Sequence, residues 1–192
     1  GLVGERKNIM LARMPVVGNT KLIEYGIQTE DSDLRAHVCV TAKKVYVYRT
    51  EDGVRLIQSL SDKRKVAVKT GDYVTAKGYP VKPQEIENIT FVPIPDHVWE
   101  HVKFSTFDNP TVKGQKAISV VRWMLRRGCF PMLPLHVKEV EDKDMQVKGQ
   151  DIIISLSLDV KIQVKCDYEG GEGGKWGNLY LQTEECNPYK YN

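Results

Sequence analysis

Alternating apolar and polar positions dominate residues 35–94, and this alternation is typical of β-strands with one buried face. The runs are short, rich in valine and tyrosine, and separated by turn residues such as those at 51–53 and 70–72. A series of this kind predicts a small antiparallel sheet or barrel. The predicted strands cover residues 37–40, 44–48, 54–60, 65–69 and 73–76.

A helical pattern replaces the strand pattern after residue 110. Apolar residues at spacings of three, four and seven predict an amphipathic helix over 112–125, and Gly128 is placed to end it. Strands are predicted to follow over 133–140, 145–155, 160–167 and 179–183. This order predicts an α+β fold, in which an N-terminal β-rich domain is followed by a C-terminal mixed-sheet core with a preceding helix.

Prolines mark the change between the two patterns. Pro93, Pro95 and Pro110 each remove a backbone donor and disfavour helix immediately before them. We therefore expect a linker near residues 92–110. It would separate a β-rich domain over 1–105, a candidate for positioning nucleic acid, from a second domain over 106–192.

Composition narrows the class of protein only slightly. The chain has 28 Lys and Arg against 25 Asp and Glu, so its net charge of +3 permits nucleic-acid binding without requiring it. Cys39, Cys129, Cys166 and Cys186 form no Cys-x-x-Cys pair, and we expect them to be reduced. No stretch approaches the roughly 20 apolar residues that span a bilayer. We expect an intracellular protein of the cytoplasm or nucleoid with no membrane partner, and a viral or mobile-element origin stays open.

An acid and an amide-x-lysine pair carry the candidate chemistry. Asp151 precedes an apolar run, and Gln163 and Lys165 follow on a later strand, where positions two apart share a face. If the strands form a hairpin turning near residues 157–158, positions whose numbers sum to about 314–316 lie opposite each other, so Asp151 faces Gln163 or Lys165. Carboxylate and amide oxygens can hold a divalent cation beside a phosphodiester, and a lysine can orient water and offset charge.

Two other interpretations of these residues stay open. Asp159 and Lys161 also form an acid-x-lysine pattern, although the hairpin places them at its turn, away from Asp151. Alternatively, Asp151 is only a turn residue, and Gln163 and Lys165 belong to a solvated strand face.

Five short motifs occur in order over about residues 111–187. They are Lys113-Gly114 at the helix start, Leu125-x-x-Gly128-x-Phe130 at its end, Gly149-Gln150-Asp151-Ile152-Ile153 with Ile162-Gln163-Val164-Lys165-Cys166-Asp167, and Gly177-Asn178-Leu179-Tyr180-Leu181-Gln182-Thr183. Their order and spacing resemble the core of the PD-(D/E)xK nuclease superfamily, which includes restriction enzymes, archaeal Holliday-junction resolvases and homing endonucleases. In that core a helix precedes a β-meander whose second strand carries the aspartate and whose third carries Glu-x-Lys. Residues 177–183 look like the family's fourth strand.

The resemblance implies a metal-dependent endonuclease that hydrolyses phosphodiester bonds in DNA. Its catalytic residues would be Asp151, Gln163 and Lys165. Mg²⁺ or Mn²⁺ would be held by Asp151, Gln163 and the carbonyl of Val164. Nucleases of this class that cut both strands usually act as dimers, so a homodimer is implied as well.

This chain also departs from the family pattern. Gln163 stands where most members have an acid, Gln150 where proline is common, and residues 118–119 lack the glutamate that many members carry in the helix. One carboxylate fewer predicts weaker metal binding, and Glu139 and Glu141 are candidates for a second acid. A catalytically inactive nucleic-acid-binding module of the same fold is therefore the alternative function.

A glycine-rich loop over residues 169–177 follows the proposed active strand. It is either a flexible hairpin loop or a mobile loop that closes on nucleic acid. In the second case Lys175 would meet phosphate and Trp176 a base or sugar. Lys113, at the start of the helix, is a third predicted nucleic-acid contact.

A five-residue motif offers a different chemistry. His97, Glu100 and His101 match the His-x-x-Glu-His pattern of inverted zinc peptidases. The flanking prolines leave room only for a short helix. We therefore favour a linker helix with Trp99 packed against the protein.

Overall fold

The computed structural model describes residues 32–70, 73–131, 136–147, 150–156 and 158–185. Strands and helices both occur in this part of the chain, which confirms the predicted α+β class. No described helix combines the length and apolar character needed to cross a membrane. The strands are β1 (Leu34–Cys39), β2 (Lys44–Arg49), β3 (Val66–Thr70), β4 (Tyr73–Val81), β5 (Thr90–Pro93), β6 (His136–Glu139), β7 (Ile152–Ser155), β8 (Asp159–Cys166) and β9 (Leu179–Glu185). The helices are α1 (Thr50–Ser59), α2 (Asp96–His101), α3 (Pro110–Arg126) and α4 (Lys143–Val147), with 3₁₀ turns at Asp62–Arg64 and Pro83–Glu85.

Two sheets organise these elements. The larger has six strands in the order β5-β2-β1-β8-β7-β6, and the smaller has three in the order β3-β4-β9. Neighbouring strands are antiparallel except β1 and β8, which run parallel with Leu34 opposite Ile162 and Val38 opposite Cys166. The larger sheet is therefore mixed.

Both sheets cross the boundary that the sequence predicts near residues 92–110. In the larger sheet β1, β2 and β5 precede that boundary, and β6, β7 and β8 follow it. In the smaller sheet β9 pairs with β4. The described parts of 1–105 and 106–192 thus share their sheets, and 35–94 is not a separate antiparallel sheet or barrel. Local patterning misses this because pairing between distant strands leaves no periodic signal.

Helix α3 covers one face of the larger sheet, and the predicted helix over 112–125 is confirmed. The Asn109 side chain caps its start by accepting from Val112 N at 2.9 Å, and Pro110 sits where a missing N–H is harmless. Gly128 follows its end with a φ of 67°, which glycine adopts without strain. The packed apolar residues are Ala117, Val120, Val121, Met124 and Leu125 of α3, with Leu34, Ala36 and Val38 of β1 and Val160, Ile162 and Val164 of β8.

The predicted strand over residues 54–60 is wrong, because these residues belong to helix α1. The supposed turn at 51–53 is the first turn of that helix. There Asp52 accepts from Arg49 Nε at 2.7 Å and from Arg49 Nη2 at 2.9 Å. Val54 and Ile57, one helical turn apart, pack into a second core beneath the other face of the sheet.

Two C-terminal predictions also need correction. The predicted strand over 145–155 is divided into helix α4 and the shorter strand β7. The strand over 179–183 exists as β9, but it lies in the smaller sheet, so it is not a fourth strand beside β6, β7 and β8. The position next to β8 is taken by β1. Of the strand predicted over 133–140, residues 133–135 lie outside the described residues.

Candidate active site

Asp151 lies where β7 begins, against the middle of β8. Its backbone N–H donates to Ile162 O at 2.9 Å, and its Oδ2 accepts from Val164 N at 2.7 Å. Asp151 is thus bonded to both chain neighbours of Gln163. The predicted hairpin register is confirmed, because Ile152 pairs with Ile162 and paired numbers sum to 314. Of the predicted turn, residue 157 lies outside the described residues.

Gln163 points from β8 to the face opposite helix α3. Its side chain is buried, with a relative exposure of 5%, which contradicts the solvated-face interpretation for this residue. Its Oε1 has no hydrogen-bond partner in the described structure. Leaving a buried polar atom unpaired costs about 1–3 kcal/mol, so this oxygen is a candidate ligand atom.

Lys165 shares the face of Gln163, two residues further along β8. Its Nζ donates to Gln182 Oε1 of β9 at 2.7 Å. The structure therefore brings Asp151 beside Gln163 and Val164, and it directs the Lys165 ammonium toward the smaller sheet. Sequence reasoning missed Gln182, because β9 pairs with a distant strand and only the fold brings it to β8.

The oxygen atoms around Asp151 suit a hard divalent cation. The N–H and C=O of one strand residue point to the same edge, so the Val164 carbonyl points, like its N–H, to the β7 side of β8. Carboxylate, amide and carbonyl oxygens are the ligands that Mg²⁺ and Mn²⁺ prefer. Among the described residues, no three His, Cys, Asp or Glu side chains form a metal-binding group. The candidate set therefore contains one carboxylate, from Asp151, together with the Gln163 amide and the Val164 carbonyl.

The other candidate acids, Glu139 and Glu141, flank Val140, whose N–H donates to Asp151 O at 2.8 Å, but neither has a described bond to the Asp151 side chain. Glu139 of β6 forms an ion pair with Arg122 of α3 at 3.1 Å, and Glu141 is exposed. Asp159 accepts from Ser155 Oγ at 3.2 Å. That contact is at the far end of β7 from its start at Asp151, so the predicted separation of the two acid-x-lysine patterns is confirmed.

The His-x-x-Glu-His motif forms the six-residue helix α2. His101 stacks on Trp123 with ring centroids 4.4 Å apart, and Trp99 packs edge-on against Phe104 at 5.7 Å. Trp99 also borders the core beneath α3. The interpretation of this segment as a short helix with Trp99 packed against the protein is confirmed.

A chain of buried polar side chains lies beside Lys165. His37 of β1 is opposite Lys165 in the parallel register, with Nδ1 2.5 Å from Asp167 Oδ2 and Nε2 2.6 Å from Tyr48 Oη. Asp167 Oδ2 also accepts from Tyr180 N at 3.3 Å. A carboxylate only accepts, so His37 Nδ1 donates to it and the ring orientation is set. Sequence reasoning missed this chain because 130 positions separate His37 from Asp167.

The described cysteines are free thiols, as predicted, and Cys186 lies outside the described residues. Burial raises the pKa of Cys39 well above its usual range. Burial, reinforced by the negative charge of Asp167, raises the pKa of Cys166 to about 12. These two thiols are held in the unreactive neutral form near neutral pH.

The predicted nucleic-acid contacts gather at a cleft beyond the end of β8. The cleft has a volume of about 930 Å³, and Lys113 and Trp176 both line it. Lys175 Nζ lies 5.0 Å from the centre of a Trp176 ring. Other residues of its wall are Asp167, Tyr168, Asn178 and Tyr180.

The glycine-rich loop is packed against the larger sheet. A Cβ on Gly171 would lie 2.7 Å from Tyr46 Cε2, and one on Gly174 would overlap the carbonyl oxygen of Gly170. Glu172 N donates to Tyr46 Oη at 2.9 Å. These close approaches require glycine at positions 171 and 174. The mobility of the loop stays a prediction.

Comparisons of the chain with protein-family models, with curated proteins and with solved structures found no match.

Proposed function

We propose that the protein is a metal-dependent endonuclease that hydrolyses phosphodiester bonds in DNA. The observation that carries the proposal is the bond from Val164 N to Asp151 Oδ2, which holds a carboxylate against the residue next to Gln163, whose buried amide oxygen has no partner among the described residues. The motif order over residues 113–167, which resembles the PD-(D/E)xK core, supports the same activity, whereas residues 179–183 lie in the smaller sheet and do not. Nucleases of that superfamily that cut both strands usually act as dimers, so the resemblance adds a homodimer to the proposal.

The donor atoms fit a magnesium or manganese ion. Asp151, Gln163 and the Val164 carbonyl would hold it, and the need of Gln163 Oε1 for a partner is consistent with that role. When bound, such an ion stabilises negative charge on the phosphate and activates water. With a single carboxylate in the described set, metal affinity is expected to be weak.

Lys165 is the proposed electrostatic group. An ammonium has three donors, and the bond to Gln182 uses one of them, leaving two for phosphate oxygens or water. Gln182 thereby limits the rotation of a long flexible side chain and is a positioning residue. Lys165 offsets the charge that develops on the phosphate in the transition state.

The test is cleavage of plasmid, single-stranded and branched DNA with Mg²⁺ or Mn²⁺, against EDTA. Lys165→Ala should abolish cleavage and spare DNA binding. Lys161→Ala is the matched control, because it removes a lysine from the same face of the same strand. Metal-dependent cutting that survives Lys165→Ala, or that is lost equally in Lys161→Ala, would refute the assignment.

The second candidate function is a binding module without catalysis. It is favoured by the single carboxylate of the donor set. Among the described residues, no cluster of three His, Cys, Asp or Glu side chains offers further metal ligands. Under this alternative no metal supports cleavage. Salt-sensitive DNA affinity would nevertheless remain, because it depends on cationic contacts with phosphate.

A further inference from the structure

We infer that the cleft beyond β8 is a subsite for one unpaired nucleotide of single-stranded DNA, with its base stacked on Trp176. Lys113 and Lys175 would contact the adjoining phosphates. The inference rests on the proposed action on DNA and narrows the substrate class to molecules with an unpaired segment, such as single strands, flaps or branches.

Trp176 provides the stacking surface. Its relative exposure is 65%, although tryptophan is on average a largely buried residue. Its backbone N–H donates to Glu169 O at 3.0 Å, and Gly174, two residues earlier, cannot accept a side chain. A tryptophan side chain has only two rotatable torsions, so it loses little conformational entropy when a base stacks on it.

Cations lie beside the aromatic rings of the cleft. Lys113 Nζ is 4.7 Å from the ring centre of Tyr168, and Lys175 Nζ is 5.0 Å from a ring of Trp176. Aromatic platforms next to basic groups are the usual means of binding single strands. The same wall contains two acidic residues: Asp167, which is engaged by His37 and by the Tyr180 amide, and Glu169, whose backbone carbonyl accepts from Trp176 N.

The cleft begins directly after strand β8, which carries Gln163 and Lys165 of the candidate active site. Asp167 in the cleft wall is four residues beyond Gln163, or about 13 Å along an extended chain. A base within a duplex reaches Trp176 only after unpairing and unstacking, which costs free energy, so the single-stranded form is preferred.

The test is fluorescence anisotropy in EDTA with a labelled oligonucleotide of about 16 nucleotides, the upper site size of known single-strand modules, and with its duplex. Trp176→Ala should weaken single-strand binding by about 5- to 100-fold, and Trp176→Phe should retain most of it. Phe91→Ala is the matched control, because Phe91 is 52% exposed and has Lys44 Nζ at 5.0 Å but does not line the cleft. Lys113→Ala should reduce the salt dependence by about one phosphate contact.

Tight single-strand binding by Trp176→Ala, or a wild-type preference for the duplex, would overturn the inference. An equal loss in Phe91→Ala would do the same. Because EDTA prevents metal-dependent cutting, the assay is independent of the nuclease proposal. Trp176-dependent binding without cleavage would leave the subsite standing and remove the nuclease. Cleavage with Trp176-independent binding would do the reverse.

Discussion

Replacement of Asp151 separates a structural role from a chemical one. Asp151→Ala removes both the negative charge and the oxygen that accepts from Val164 N–H. Asp151→Asn removes the charge but keeps an amide oxygen that can accept the same bond. The two variants should therefore differ in stability and agree in activity.

The magnitude follows from the environment of the bond. Val164 is buried, at 7% relative exposure, and its N–H donates over 2.7 Å to the half-buried Asp151 carboxylate. A buried donor that loses its partner costs about 1–3 kcal/mol. Asp151→Ala should lower the free energy of unfolding by about that amount, and less where water reaches the site. Asp151→Asn replaces a charge-assisted bond with a neutral one and should cost about 1 kcal/mol or less.

Urea unfolding followed by circular dichroism measures the stabilities, and DNA cleavage and metal titration are measured on the same preparations. Saturating Mg²⁺ or Mn²⁺ should stabilise the wild type, by about 2.7 kcal/mol at 100 times its Kd, and neither variant. Cleavage by Asp151→Asn at the wild-type rate would refute the role of Asp151 as a ligand. Equal stability of Asp151→Ala and wild type would refute the importance of the bond to Val164.

Three further outcomes are expected. Gly53→Ala should lower the free energy of unfolding in urea by about 1–2 kcal/mol, although alanine has the better helix propensity. The cause is that the new Cβ would lie 2.7 Å from Cε2 of the buried Tyr48. A gain in stability would show that this ring can move. Burial raises the pKa of Asp33, so the folded state keeps the Asp33 proton to a higher pH than the unfolded state does. The free energy of unfolding therefore falls as pH rises above the ordinary carboxyl range. Asp33→Asn should gain stability relative to wild type between about pH 4 and pH 7, and a relative loss over that interval would contradict the argument. Iodoacetamide at about pH 8 should label Cys166 at least about 10-fold more slowly than Cys129, because a pKa of about 12 leaves little thiolate at Cys166. Peptide mass spectrometry measures the two labelling rates, and equal rates would contradict this expectation.

Local patterns predicted those parts of the fold that depend on neighbouring residues. The alternation of Val160, Ile162 and Val164 gave the buried face of β8, and the spacing of Asp151 from Gln163 gave the hairpin register. The prediction of a strand over 54–60 was wrong because so short a run of apolar residues fits both the strand period of two and the helix period of 3.6. The helix is decided by the Arg49–Asp52 bonds and by packing beneath the sheet.

The candidate site was predictable only in part, for a related reason. Asp151 and Gln163 belong to one hairpin, so their proximity is encoded in spacing. The contacts of Lys165 with Gln182 and of His37 with Asp167 join strands from different sheets or from opposite ends of the described chain. Such contacts depend on topology, which composition and periodicity do not determine.

The parallel pairing of β1 with β8 has a consequence for synthesis of the chain. The side chain of Asp33, just before β1, accepts a hydrogen bond from the backbone N–H of Lys161 in β8, which lies 128 positions further along the chain. During synthesis, β1 therefore emerges from the ribosome long before β8 has been made. Until then, the edge of β1 that pairs with β8 has no partner strand. Contacts this distant in sequence slow folding. We therefore expect refolding to be slow and prone to aggregation, and we expect no fragment that ends before β8 to fold on its own.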